Sequence, residues 1–110
     1  MRLIKRDQRL VTFRERKTLK EPDGTTYEGW DPNGIAVKAN VQPASGRVMA
    51  EQYGERLGYI LVAYMEGHPD IKESSGAWVY VPSDAEKPDY RVVAVRKWRH
   101  TVVEMEKMTP

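Results

Sequence analysis

A chain of 110 residues, 40% apolar and 31% charged, with no cysteine, is one domain with a modest core, and it excludes a disulfide framework or a thiolate metal site. No apolar run is long enough to span a membrane and the start lacks a signal-peptide core, so the chain reads as beginning at or near Met1 in a reducing cytoplasm. The formal net charge is +2, but residues 1–20 hold eight basic and two acidic groups, residues 21–90 five and twelve, and residues 91–110 five and two. Basic ends around an acidic middle suit head-to-tail contact between copies, contact with a larger complex, or basic ends near nucleic acid. A solvated surface without a partner fits the same distribution.

Arg9 to Arg16 reads as the first strand, with Val11 and Phe13 inward and Leu10 on the opposite side. Lys20-Glu21-Pro22-Asp23-Gly24-Thr25 is a turn: proline fixes φ and Asp-Gly tolerates positive φ. Tyr27 to Trp30 continues a loose hairpin, and the whole of Lys20 to Gly34 is expected to be mobile for want of apolar anchors. Ile35 to Gln42 is the second strand, where Val37, Ala39 and Val41 alternate with Lys38, Asn40 and Gln42. Pro43 removes a ladder donor and Ser45-Gly46 opens an irregular segment.

Arg47 to Arg56 is ambiguous. Met49, Tyr53 and Leu57 recur at helical spacing while Gly54 weakens the pattern, so one or two helical turns are expected inside a flexible loop. Leu57 to Met65 is the third strand. It is apolar on both sides, as in a central strand or one covered by a neighbouring subunit. Glu66 to Asp70 is a turn, Ala77 to Val81 the fourth strand, Pro82 to Pro88 an acidic loop, Tyr90 to Trp98 the fifth strand, and Thr101 to Met108 the sixth, with Val103 and Met105 inside. Arg99-His100 occupies the intervening hairpin turn, although neither residue favours a primed turn. The expected fold is mainly β: a small six-stranded β-barrel or sandwich, single-domain over residues 1–110, with a long flexible loop and at most a short helix.

The chemistry-bearing residues are sparse. His68 and His100 are the only histidines and no carboxylate stands at ligand spacing, so neither a metal nor a cofactor is expected. Glu104 and Glu106 share a face of the last strand; a paired acid and base is one reading, a solvated strand face the preferred one. Ser45 lacks a nucleophile elbow and reads as a turn or cap residue, and the eight glycines form no phosphate loop. No catalytic residue is assigned and no enzymatic activity is expected. Arg91, Arg96, Lys97 and Arg99 surround Trp98, which permits loose contacts of Arg96, Lys97 and Arg99 with a nucleic-acid backbone. On an ideal strand, however, Arg91 and Lys97 lie on one side and Arg96 on the other, and Trp78, Tyr80 and Trp98 read more simply as core or subunit interface.

Val41-Gln42-Pro43-Ala44-Ser45-Gly46-Arg47 resembles the V-x-P-x-S-G segment of phage head–tail joining proteins, also called head-closure or stopper proteins. The surroundings follow the family's order: a basic N-terminus before Leu10-Val11-Thr12-Phe13, the turn at Asp23-Gly24, Trp30, Val37-Lys38-Ala39, Val62-Ala63-Tyr64, then Tyr90-Arg91-Val92-Val93-Ala94-Val95 and a closing strand with Val102-Val103-Glu104. The resemblance spans about residues 9–106. It implies a structural protein of a tailed phage or prophage, present in the virion and, during assembly, in the bacterial cytoplasm. It implies a small β-barrel whose copies form a ring, dodecameric in the virion and monomeric when isolated, between portal or adaptor proteins and tail-completion proteins. The ring closes the portal channel after DNA packaging and offers the tail its attachment surface; no membrane is involved. By position, the channel or stopper loop would comprise Ala44, Ser45, Gly46, Arg47, Val48, Met49, Ala50, Glu51, Gln52 and Tyr53.

Overall fold

Alternation along the strands sorts the apolar residues to one interior. The computed structural model describes residues 8–108; Arg2, Lys5 and Arg6 of the basic N-terminal run lie outside them. The elements are β1 (Gln8–Arg14), β2 (Arg16–Lys20), β3 (Thr26–Trp30), β4 (Ile35–Pro43), α1 (Arg47–Tyr53), a 3-10 segment (Gly54–Tyr59), β5 (Ile60–Glu66), β6 (Gly76–Trp78), β7 (Tyr90–Lys97) and β8 (His100–Lys107). Six of the strands close into an antiparallel barrel in the order β1-β4-β5-β8-β7-β6, and β2 with β3 forms a separate two-stranded ribbon. Val11, Phe13, Ala39, Leu61, Ala63, Met65, Val92, Val103 and Met105 fill the barrel interior. Leu10, from the opposite side of β1, is exposed, as the period of two requires. The mainly β fold with a closed six-stranded barrel and one short helical segment is therefore the one expected.

The two-sided apolarity of β5 has a local explanation. Leu61, Ala63 and Met65 point into the barrel. Ile60 and Val62 point outward, into a second cluster with Ala44 and Tyr53, joined by Met49, Leu57 and Val93. The cover is the chain's own helix, not a neighbouring subunit. β5 begins at Ile60 rather than Leu57, because Leu57 to Tyr59 continue the 3-10 turn that brings Leu57 onto this cluster. Gly54, at φ 58°, ends α1 and lets the chain change direction.

β6 is shorter than the strand expected over Ala77–Val81. The Asp89 carboxylate accepts the amides of Val79 at 2.8 Å and Tyr80 at 2.9 Å, replacing the ladder there with a side chain. Trp78 is buried as expected, its indole N–H donating to the Ala85 carbonyl at 2.9 Å. Trp98 is not: at 79% exposure it belongs to no core.

The segment expected to be a loose hairpin is a regular ribbon, paired from Arg16↔Trp30 to Lys20↔Thr26. Its turn is closed by the Gly24 amide on the Glu21 carbonyl at 2.9 Å and the Thr25 amide on Asp23 Oδ1 at 2.9 Å, with Gly24 at φ 94°. Its root is closed by Lys17 with Asp31 at 2.8 Å and meets the barrel through Trp30, whose ring lies edge-on to Trp78 at 5.8 Å. Gly76 is needed at this joint, since a Cβ there would lie 2.9 Å from Pro88 and 3.1 Å from both tryptophan rings.

Candidate functional site

The segment that the motif singles out is an outboard helix. Ala44 is buried and its amide donates to the Ile60 carbonyl at 3.0 Å, so the ladder runs one residue past Pro43. Gly46, at φ 98°, occupies the helix N-cap, and no side chain caps the helix. Ser45 therefore does not cap it. Ser45, Gly46, Arg47, Val48, Ala50, Glu51 and Gln52 are exposed, while Met49 is half-buried and Tyr53 buried. The Arg47–Glu51 pair at 3.3 Å is fully at the surface and adds little. The helical turns expected within this segment are formed, and Tyr53, Met49 and Leu57 seat them on the outer face of β5; helical spacing identified the three side chains, but not the apolar face of β5 waiting for them.

Two glutamates on the outer face of β8 fasten this seat. Glu104 is 1% exposed. It accepts the Tyr53 hydroxyl at 2.5 Å and Arg96 Nε at 2.8 Å. Glu106 receives Arg56 through two parallel hydrogen bonds of 2.6 and 2.7 Å, with Arg91 at 3.6 Å. The reading of these carboxylates as a solvated strand face is overturned, as is their reading as an acid–base pair open to substrate: both are neutralised within the fold. Arg96 reaches Glu104 because β7 carries a bulge. The register passes from Val92↔Met105 to Ala94↔Glu104, leaving Val93 as the extra residue. That residue reverses the alternation beyond it, so Arg91 and Arg96 share the outer face, opposite to the ideal-strand expectation. Arg96 is thereby paired with Glu104 through Nε while its side chain stays 48% exposed, and Lys97 and Arg99 are exposed beside Trp98 at the β7–β8 turn. Among the described residues no group of three metal-ligating side chains comes together.

The seat responds to pH at both extremes. Arg56 holds the Glu106 carboxyl below the ordinary 4.5. That stabilisation is complete above the ordinary value and is lost as the pH falls through the lower folded value. Burial, then the bond to Glu104, push the Tyr53 phenol above the ordinary 10.0. Its contribution is complete below pH 10 and is lost as the pH rises toward the folded value. In an alkaline titration followed by tyrosinate absorbance and circular dichroism, a late-ionising tyrosine should titrate together with loss of helix signal. Tyr53→Phe should remove that late step; its persistence in the variant would assign it elsewhere, Tyr90 being the other tyrosine raised by burial.

No protein-family model matches the chain, and no curated protein matches it. Among solved structures, the solution structure of protein SF1141 from Shigella flexneri 2a, a structural-genomics target, is similar at a TM-score of 0.64 with 15% identity, covering 89% of each chain. At that identity the likeness is one of fold.

Proposed function

We propose that this protein is a structural ring subunit of a phage head–tail connector, working by assembly between portal or adaptor proteins and tail-completion proteins rather than by bond-making chemistry. The observation that carries the reading is the coincidence of the V-x-P-x-S-G-like segment with an outboard element. Residues 45–52 stand outside a closed barrel with mostly exposed side chains, Val48 among them at 75%, while buried Ala44 and Tyr53 fix where the element begins and ends. Such a helix is positioned by the scaffold and left available to neighbours. The ordered ribbon of β2 and β3 is a second projecting element of the same kind. The reading places the protein in the virion and, before that, in the host cytoplasm during assembly. Its test is capture by a cognate portal–adaptor assembly, seen as an added ring by electron microscopy. Added density is the expected result; an assembly that binds no copy at saturating protein would refute it.

A second reading, loose nucleic-acid binding, is favoured by one observation, an exposed tryptophan between Lys97 and Arg99. Affinity for DNA should then fall steeply with salt and be lost when Lys97 and Arg99 are both replaced by alanine. Negligible binding at low salt would end it.

A further inference from the structure

At 79% exposure Trp98 is the most accessible large apolar side chain among the described residues. The turn that carries it is braced. The Trp98 amide donates to the His100 carbonyl at 2.9 Å, His68 Nε2 faces the Trp98 carbonyl at hydrogen-bond distance, and the Thr101 hydroxyl donates to the Gly67 carbonyl at 2.8 Å. An exposed indole on a braced turn, flanked in sequence by Lys97 and Arg99, has the composition of an interface anchor.

A groove that combines apolar and acidic side chains lies at the other end of β7. An open groove of about 530 Å³ runs between the ribbon and the loop that precedes β7, with Leu19, Tyr27 and Trp30 on its apolar side and Asp84 and Glu86 on its acidic side. Of its cations, Arg14 and Arg16 are stacked on the Trp78 and Trp30 rings at 4.9 Å, and Lys87 follows the two acids. Trp30 and Pro88 pack on Gly76, which pairs with Arg91 near the start of β7. The tip lies beyond Lys97, at that strand's far end, about 26 Å away at the rise of an extended strand. The tip therefore cannot reach the groove of its own chain.

We propose that the Lys97-Trp98-Arg99 tip of one copy docks into the ribbon groove of a second copy, with the indole against Tyr27 and Trp30 and the two cations facing Asp84 and Glu86. The two patches are different and sit at opposite ends of one strand, so the contact is head-to-tail and repeats, closing into a ring where the rotation allows. This rests on the connector reading for the ring it names. One tip covers little area, so each contact is weak alone and gains strength from closure.

Because the chain has no cysteine, the contact can be trapped. Arg99→Cys and Glu86→Cys chains, mixed and oxidised, should cross-link to one another and not to themselves, and adding Trp98→Ala to the Arg99→Cys chain should lower the yield about tenfold or more. Circular dichroism confirms that each surface variant is folded. Cross-linking no greater than that of a Lys38→Cys control, or an Arg99→Cys chain that links mainly to itself, would overturn the proposal. So would DNA binding that needs Trp98 in the absence of any cross-link, which would assign the tip to nucleic acid. If cross-linking fails while the wild-type chain still binds the portal–adaptor assembly, the docking is wrong and the connector reading stands. If the cross-link forms and no connector binds, the contact stands without that reading.

Discussion

Arg96→Ala should destabilise the protein by about 3–5 kcal/mol, far more than a half-exposed arginine usually contributes. The reason lies in its partner. Arg96 is 48% exposed but Glu104 is 1% exposed, so removing the guanidinium leaves a buried carboxylate held by the Tyr53 hydroxyl and no longer by a cation. Glu104→Gln keeps an acceptor for Tyr53 and removes the charge, and should be the milder change. Replacing both residues with leucine should recover much of the loss, because the apolar pair leaves no uncompensated charge. Urea denaturation of the three variants checks this. An Arg96→Ala loss within about 0.5 kcal/mol of zero, the range of an ordinary surface substitution, would show that Glu104 finds solvent or another cation.

Trp78→Ala should be comparably severe, about 3–5 kcal/mol, and spatially different in effect. The ring is 2% exposed, meets Trp30 edge-on at 5.8 Å, supports the Arg14 guanidinium at 4.9 Å and ties the acidic loop through Ala85 at 2.9 Å. Its loss removes the surface on which the ribbon root and the 82–88 loop rest. Amide exchange should accelerate across β2 and β3 well before it does in β5 and β8. Equal acceleration in all four strands would mean that the ribbon is integral to the barrel rather than docked on it.

The barrel was legible in the sequence because its signal is local. Val11 with Phe13, Val37 with Ala39, and Val103 with Met105 alternate with polar residues, and glycine or proline turns bound several of the strands. The outer seat was not legible, since it depends on residues far apart in the chain: Tyr53 meets Glu104, 51 positions later, and Arg56 meets Glu106, 50 positions later. Exposed-looking charges on β8 give no sign that a helix will cover them. The side of Arg96 was misjudged for a narrower reason. A bulge adds one residue, and Val92-Val93-Ala94-Val95 is apolar throughout, so nothing in its pattern marks where the alternation reverses. Tyr27 to Trp30 looked loose because its anchor, Trp78, lies in a different strand.

Closure of the barrel has a bearing on how these chains behave when crowded. A sheet rolled shut offers a stray strand little hydrogen-bonding rim, confined to the stretches of β1 and β7 that the short β6 does not reach, and the ribbon adds two rims of five residues each. One of them carries Arg16, Lys17 and Lys20, and like charges on approaching rims repel. Like charges along that rim thus disfavour the templating of one copy by another when the protein is concentrated.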